Sequence, residues 1–101
     1  MKEIKSKINK KIKNNNIVLI DFYASWCKDC TVMDKILKSI DNKYNKINMF
    51  KVDVDNNKEL AKEYNIEFLP TIILFNKNNE VTRFLEITSK EDIIKSIEKI
   101  L

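Results

Sequence analysis

Residues 17–23 read Ile-Val-Leu-Ile-Asp-Phe-Tyr, an apolar run broken only by Asp21. A run of this length, rich in β-branched and aromatic side chains, predicts a strand covered on both faces. The rest of the pattern supplies the covering layers. Ile4, Ile8 and Ile12 fall at i, i+4 spacing among lysines and predict an amphipathic helix over 2–14, ended by Asn14-Asn15-Asn16. Val32, Met33, Ile36, Leu37, Ile40 and Tyr44 keep helical period to about residue 45. Residues 47–54 alternate as a second strand, and 57–64 form a short helix with Leu60, Ala61 and Tyr64 on one side. Pro70 breaks the chain before a third strand at 71–75. Asn76-Lys77-Asn78-Asn79 is a turn in which Asn serves where Gly is usual. Residues 81–87 pair back as a hairpin, and Ser89 caps a last helix striped by Ile93, Ile97 and Ile100. Strand–helix alternation followed by a hairpin predicts an α/β domain, a mixed sheet of about four strands with helices on both faces. No linker or repeat divides residues 1–101, so one domain is expected.

Composition narrows the chemistry. The 101-residue chain has Gly 0 and His 0. Without glycine, neither a P-loop nor a dinucleotide fingerprint is available. Without histidine, Ser-His and Cys-His nucleophile pairs and His-ligated metal sites are excluded. The formal charge is +4, and residues 1–13 alone carry a net +5. The basic signal is therefore one short helix. It lacks base-stacking aromatics, so a docked helix with a solvated lysine face is favoured over a nucleic-acid or membrane-surface site. No apolar stretch reaches the ~18 residues of a membrane span, and no secretory signal is visible. A cytoplasmic, monomeric protein is expected; a signal or anchor removed from the chain would leave an extracytoplasmic one looking the same.

The two cysteines, Cys27 and Cys30, lie three apart where the first strand meets the second helix, in Trp26-Cys27-Lys28-Asp29-Cys30. A disulfide closing so small a loop constrains little of the unfolded chain, so the pair points to chemistry rather than stapling. Cys27 falls at the helix N-terminus, where free N–H groups and the helix dipole favour a negative charge. Cys30 lies one turn further in. Cys27 is the expected nucleophile on a substrate disulfide, and Cys30 the thiol that resolves the mixed disulfide. A shared metal site would need two chains, because one chain offers only two thiolates.

The segment Val18 to Cys30 resembles the active-site segment of thioredoxins, and three separated positions extend the likeness. Asp21 matches the family's buried acid, which relays a proton for the resolving thiol. Lys51 matches the strand lysine that approaches that acid. Leu69-Pro70-Thr71 matches the segment whose cis-proline faces the dithiol and aligns substrate backbone. The resemblance implies a thioredoxin fold with its first strand short or absent. It also implies thiol–disulfide exchange without a bound cofactor, mainly reduction of protein disulfides. Electrons would come from a thioredoxin-reductase-like flavoenzyme or another dithiol. This chain departs from the family in three respects. Lys28-Asp29 replaces Gly-Pro between the cysteines. Lys35 replaces a helix-kinking proline. Lys28, Phe68 and Glu86 stand where glycines flank the substrate groove.

Single residues carry alternatives. Asp21 is either a buried functional acid, whose pKa desolvation would raise, or an edge residue facing water. Lys51 is either its partner or a solvated strand lysine. Trp26 and Phe68 are either core or apolar contacts for substrate, beside Lys28, Leu69 and Pro70. Two further functions fit the same motif: a partner-specific extracytoplasmic oxidoreductase, and a thioredoxin-fold binding module whose dithiol does not turn over.

Overall fold

The computed structural model describes residues 1–5 and 8–101. Five strands and four helices follow in the order β1 (Lys2–Glu3), α1 (Ile8–Asn14), β2 (Ile17–Tyr23), α2 (Lys28–Lys43), β3 (Asn48–Asp53), α3 (Lys58–Glu63), β4 (Thr71–Asn76), β5 (Asn79–Leu85) and α4 (Lys90–Glu98). The strands form one mixed sheet in the order β1-β3-β2-β4-β5. β1, β3 and β2 run parallel, while β4 is antiparallel to β2 and β5 to β4.

The apolar run is the middle strand of this sheet, and period-2 alternation divides its side chains between two cores. Ile17 and Leu19 pack with Met49, Ile72 and Leu74 beneath Met33, Leu37 and Ile40 of α2 and Ile93 and Ile97 of α4. Val18, Ile20 and Phe22 pack on the other face with Phe50, Val52, Ile73 and Phe75. Ile8 and Ile12 of α1 cover that second face, together with half-buried Leu60 and Tyr64.

The N-terminus differs from its sequence pattern. Residues 2–14 are not one helix: Lys2 and Glu3 form a strand against Phe50 and Lys51, and the helix begins at Ile8. The Ile4 N–H extends the pairing to the Lys51 carbonyl at 2.8 Å. Lys2 and Glu3 are exposed and leave no apolar signature, so only backbone pairing makes them a strand. This short edge raises the strand count from four to five. Ile4 still reaches the same core as Ile8 and Ile12, which explains the shared spacing. Lys7, one of the six lysines of the basic segment, lies outside the described residues.

Two local expectations hold. Ser89 Oγ accepts the Asp92 N–H at 3.2 Å and caps α4. In the β4–β5 turn, Lys77 (φ 50°) and Asn78 (φ 71°) both take the left-handed region. A two-residue hairpin loop of type I′ needs this at both central positions, and here one of them is a lysine. No helix among the described residues is long and apolar enough to cross a membrane.

Candidate active site

The site lies at the C-terminal end of β2, where the buried run gives way to Ala24-Ser25-Trp26 and then α2. Cys27 is the N-cap of α2, with extended backbone, and its Sγ accepts the Cys30 N–H at 3.2 Å. Here a sulfur occupies the place that a serine or aspartate oxygen usually fills, so an orphan N–H of the first turn is aimed at the thiol. Cys30 is more deeply buried than Cys27, and both pack with Ala24, against half-buried Tyr23, Val54 and Leu69. Burial pushes the Cys30 thiol well above its ordinary range. The hydrogen bond to Cys27 and the nearby Asp21 carboxylate act in the same direction.

Asp21 is buried, with 1% of its surface exposed, so the edge-strand alternative does not apply. Its Oδ1 accepts no hydrogen bond from the protein. Burial is the main cause that raises its pKa to about 7; the Asp34 carboxylate adds to this and Lys51 opposes it. The register pairs Asp21 with Lys51 on β3 and with Ile72 on β4. Asp21, Cys30, Asp34 and Lys51 line one cavity of about 150 Å³, together with Tyr23, Ala24, Ser25 and Thr31. Lys51 thus lies beside the acid, as its strand position implies. Its ammonium, however, makes its ion pair with Asp34, at 3.9 Å, and stands over the Tyr23 ring at 5.3 Å.

The outer rim carries the remaining residues. Trp26 is 69% exposed, which removes the core alternative, and its indole N–H donates to Asp55 Oδ2 at 2.7 Å. Phe68 is 45% exposed and Lys28 is exposed at the first turn of α2. Leu69 packs against the two cysteines, and the Leu69–Pro70 peptide is cis. The Pro70 carbonyl accepts the Glu86 N–H at 2.8 Å. Glu86 takes φ 63°, the region that favours glycine, whereas Lys28 and Phe68 do not. Only Glu86, of the three, stands where the backbone itself favours glycine. α2 runs through Lys35 without interruption.

Two residues of the site escaped the sequence reading. Asp55 follows β3 in a turn that side chains of Asp53 and Asn57 tie together, and no periodic signal marks it. Asp34 carried a usable signal. It lies four residues after Cys30 and borders the buried stripe of Cys30, Met33, Leu37 and Ile40, an unusual place for an acid.

A family model described as Thioredoxin matches residues 1–99. Thioredoxin of Chlamydia trachomatis is 34% identical over 85 residues, which are 84% of this chain and 83% of that protein. The bifunctional thioredoxin reductase/thioredoxin of Mycobacterium leprae is 31% identical over 91 residues, 89% of this chain and 20% of that protein. The solved structure of Plasmodium falciparum thioredoxin superposes with a TM-score of 0.91 at 27% identity, covering 100% of both chains. With its dithiol at the head of α2 and its buried acid beneath, the chain belongs to the thioredoxin family of thiol–disulfide oxidoreductases.

Proposed function

We propose that this protein works in the reducing direction on protein disulfides. The observation that carries the reading is the asymmetry of the dithiol. Cys27 Sγ caps the helix and receives an N–H, while Cys30 is buried against Asp21. The Cys27 thiolate attacks one sulfur of the substrate disulfide. That S–S bond breaks, a mixed disulfide forms, and the first substrate sulfur leaves as a thiolate and takes a proton. Cys30 then gives its proton to the ionised Asp21 carboxylate and attacks Cys27 Sγ. The Cys27–Cys30 bond forms as the second substrate thiolate leaves. Two electrons have passed from the dithiol to the substrate.

Trp26, Lys28, Phe68, Leu69 and Pro70 are the substrate-facing residues of this reading. Exposed Trp26 and Phe68 offer apolar contact beside the thiols. A flavoenzyme of the thioredoxin-reductase type, or another dithiol, restores the reduced state. The Mycobacterium leprae relative, which joins a thioredoxin reductase to a thioredoxin in one chain, supports such a donor.

Reduction of insulin disulfides with dithiothreitol as the electron source tests the reading. Cys27→Ser is expected to bring the rate to the dithiothreitol background, and Cys30→Ser to accumulate a mixed disulfide through Cys27. Equal rates for wild type and Cys27→Ser would make the chain a binding module rather than a reductase. The potential of the couple fixes direction: a value near about −270 mV fits a reductant, and one near about −120 mV reverses the assignment.

A further inference from the structure

Of the two carboxylates that line the cavity, Asp34 is the one with no part in the dithiol chemistry described above. It enters from α2, one turn beyond Cys30, while Asp21 enters from β2 and Lys51 from β3. Its two oxygens are divided. Oδ1 faces the Lys51 ammonium at 3.9 Å, and Oδ2 takes Lys38, one turn further along α2, at 3.0 Å. Lys51 is the cation that register places beside Asp21, yet it makes no ion pair with it.

We propose that Asp34 is a positioning residue for proton release from Cys30: it holds the Lys51 ammonium off Asp21 and adds a second negative charge to the cavity they share. The proposal rests on the dithiol reading above. Lys51 paired directly with Asp21 would make that carboxylate a weak base for a thiol. Drawn to Asp34, Lys51 leaves Asp21 a stronger one. The direction of the Asp21 shift agrees, with Asp34 raising its pKa and Lys51 lowering it. The cavity, about 150 Å³, has room for several water molecules, so a proton on Asp21 has a route outward past half-exposed Asp34.

The groups that surround Asp21 are few. β2 contributes Tyr23, whose hydroxyl donates to Glu3 of β1 at 2.8 Å. β3 contributes Lys51 and, beyond it, Asp53, and β4 presents Ile72. α2 contributes Cys30, Asp34 and, through Asp34, Lys38. Asp34 is therefore the only carboxylate among the residues lining the cavity with Asp21. Its removal both deletes a like charge and frees an opposite one, and the two effects add.

Carboxyl NMR titration of the reduced protein reads this directly, with Asp21→Asn to assign the resonance. Asp34→Asn is expected to lower the Asp21 midpoint by roughly 0.5–1 unit, a three- to tenfold loss of proton affinity. Lys51→Met is expected to raise it. In the Lys51→Met background, Asp34→Asn should shift the midpoint by less, because its lysine-mediated part is gone. Asp34→Glu should restore the wild-type midpoint, and, being a conservative change at a half-exposed helix position, it also guards against misfolding. A second readout is the rate at which Cys30 displaces a thionitrobenzoate group loaded on Cys27. Its rising pH limb should move down with Asp34→Asn, in step with the NMR midpoint. An Asp21 midpoint that stays at the wild-type value in Asp34→Asn overturns the proposal. So does a midpoint that moves while the Cys30 limb stays. The first result leaves the reductase reading untouched and the second removes only its Asp21 proton step; reduction itself stands or falls on the insulin rates of wild type and Cys27→Ser and on the potential of the couple.

Discussion

β2 has two faces with different fates. Val18, Ile20 and Phe22 lie in one apolar cluster under α1 and α3 from end to end. The opposite face starts alike, with Ile17 and Leu19 under α2 and α4, but ends with Asp21 and Tyr23 at a cavity. The same strand, paired to the same neighbours, thus closes a core on one side and opens a site on the other. A buried carboxylate without a hydrogen bond costs folding free energy, and a fully apolar face can offset it. One face supplies the stability and the other carries the reactive groups.

The largest effect expected from this division is on the closed face. Phe22→Ala should lose about 3–5 kcal/mol, since the ring is fully buried among packed neighbours. The loss should be the same at pH 5 and pH 8, because the ionisable group packed against that cluster, Tyr64, has its pKa raised from 10.0 by burial and stays neutral at both. Urea denaturation at both values checks it, and a strongly pH-dependent loss would show the two faces to be coupled.

The open face should behave in the opposite way. Asp21 has its pKa raised in the folded protein, from 3.8 to about 7. Protonated Asp21 therefore favours the fold below the unfolded-state value, and that contribution is lost as pH rises through about 7. Fully expressed, the shift corresponds to on the order of 4 kcal/mol at 1.36 kcal/mol per unit. Asp21→Asn should match wild type near pH 4 and exceed its stability by up to that amount at pH 8. Parallel stability curves for the two proteins would show that Asp21 is not destabilised by ionising inside the fold.

The difference between the faces also explains what could be read from the sequence. Asp21 stands out because it interrupts an apolar run, and Cys27 and Cys30 because they follow that run into a helix. Pro70 and Ser89 mark breaks that any fold must respect. Each is a local signal. Lys51 was half legible: its strand position puts it beside Asp21, but its partner depends on how α2 is rotated against β3. Asp34 depends on the same rotation, and only its position at the border of the buried stripe hinted at it. β1 left no trace in the side-chain pattern, because two exposed residues are held by backbone pairing alone; only the family resemblance, with a first strand short or absent, allowed for it. The Trp26–Asp55 bond joins two loops that no periodicity connects.

The smallest expected effect concerns the two ends of β4. At the far end, Lys77 has φ 50°; at the site end, Glu86 has φ 63°. Both residues carry a Cβ in a region where it crowds the backbone, at a cost of roughly 1–2 kcal/mol. Glycine removes that crowding but loses more freedom on folding, by roughly 0.5–1 kcal/mol. Lys77→Gly and Glu86→Gly should therefore each gain about 0.5–1 kcal/mol at most, as thermal denaturation would show. Their effects on activity should diverge. The Lys77 N–H bonds the Asn16 carbonyl, remote from the dithiol, whereas the Glu86 N–H bonds the Pro70 carbonyl beside it. Glu86→Gly also deletes a side chain and a negative charge next to the segment proposed to align substrate. It should change KM for insulin while Lys77→Gly leaves it alone. Equal KM values for both variants would place the Glu86 side chain outside the groove, and the open end of the sheet would then be narrower than its chemistry implies.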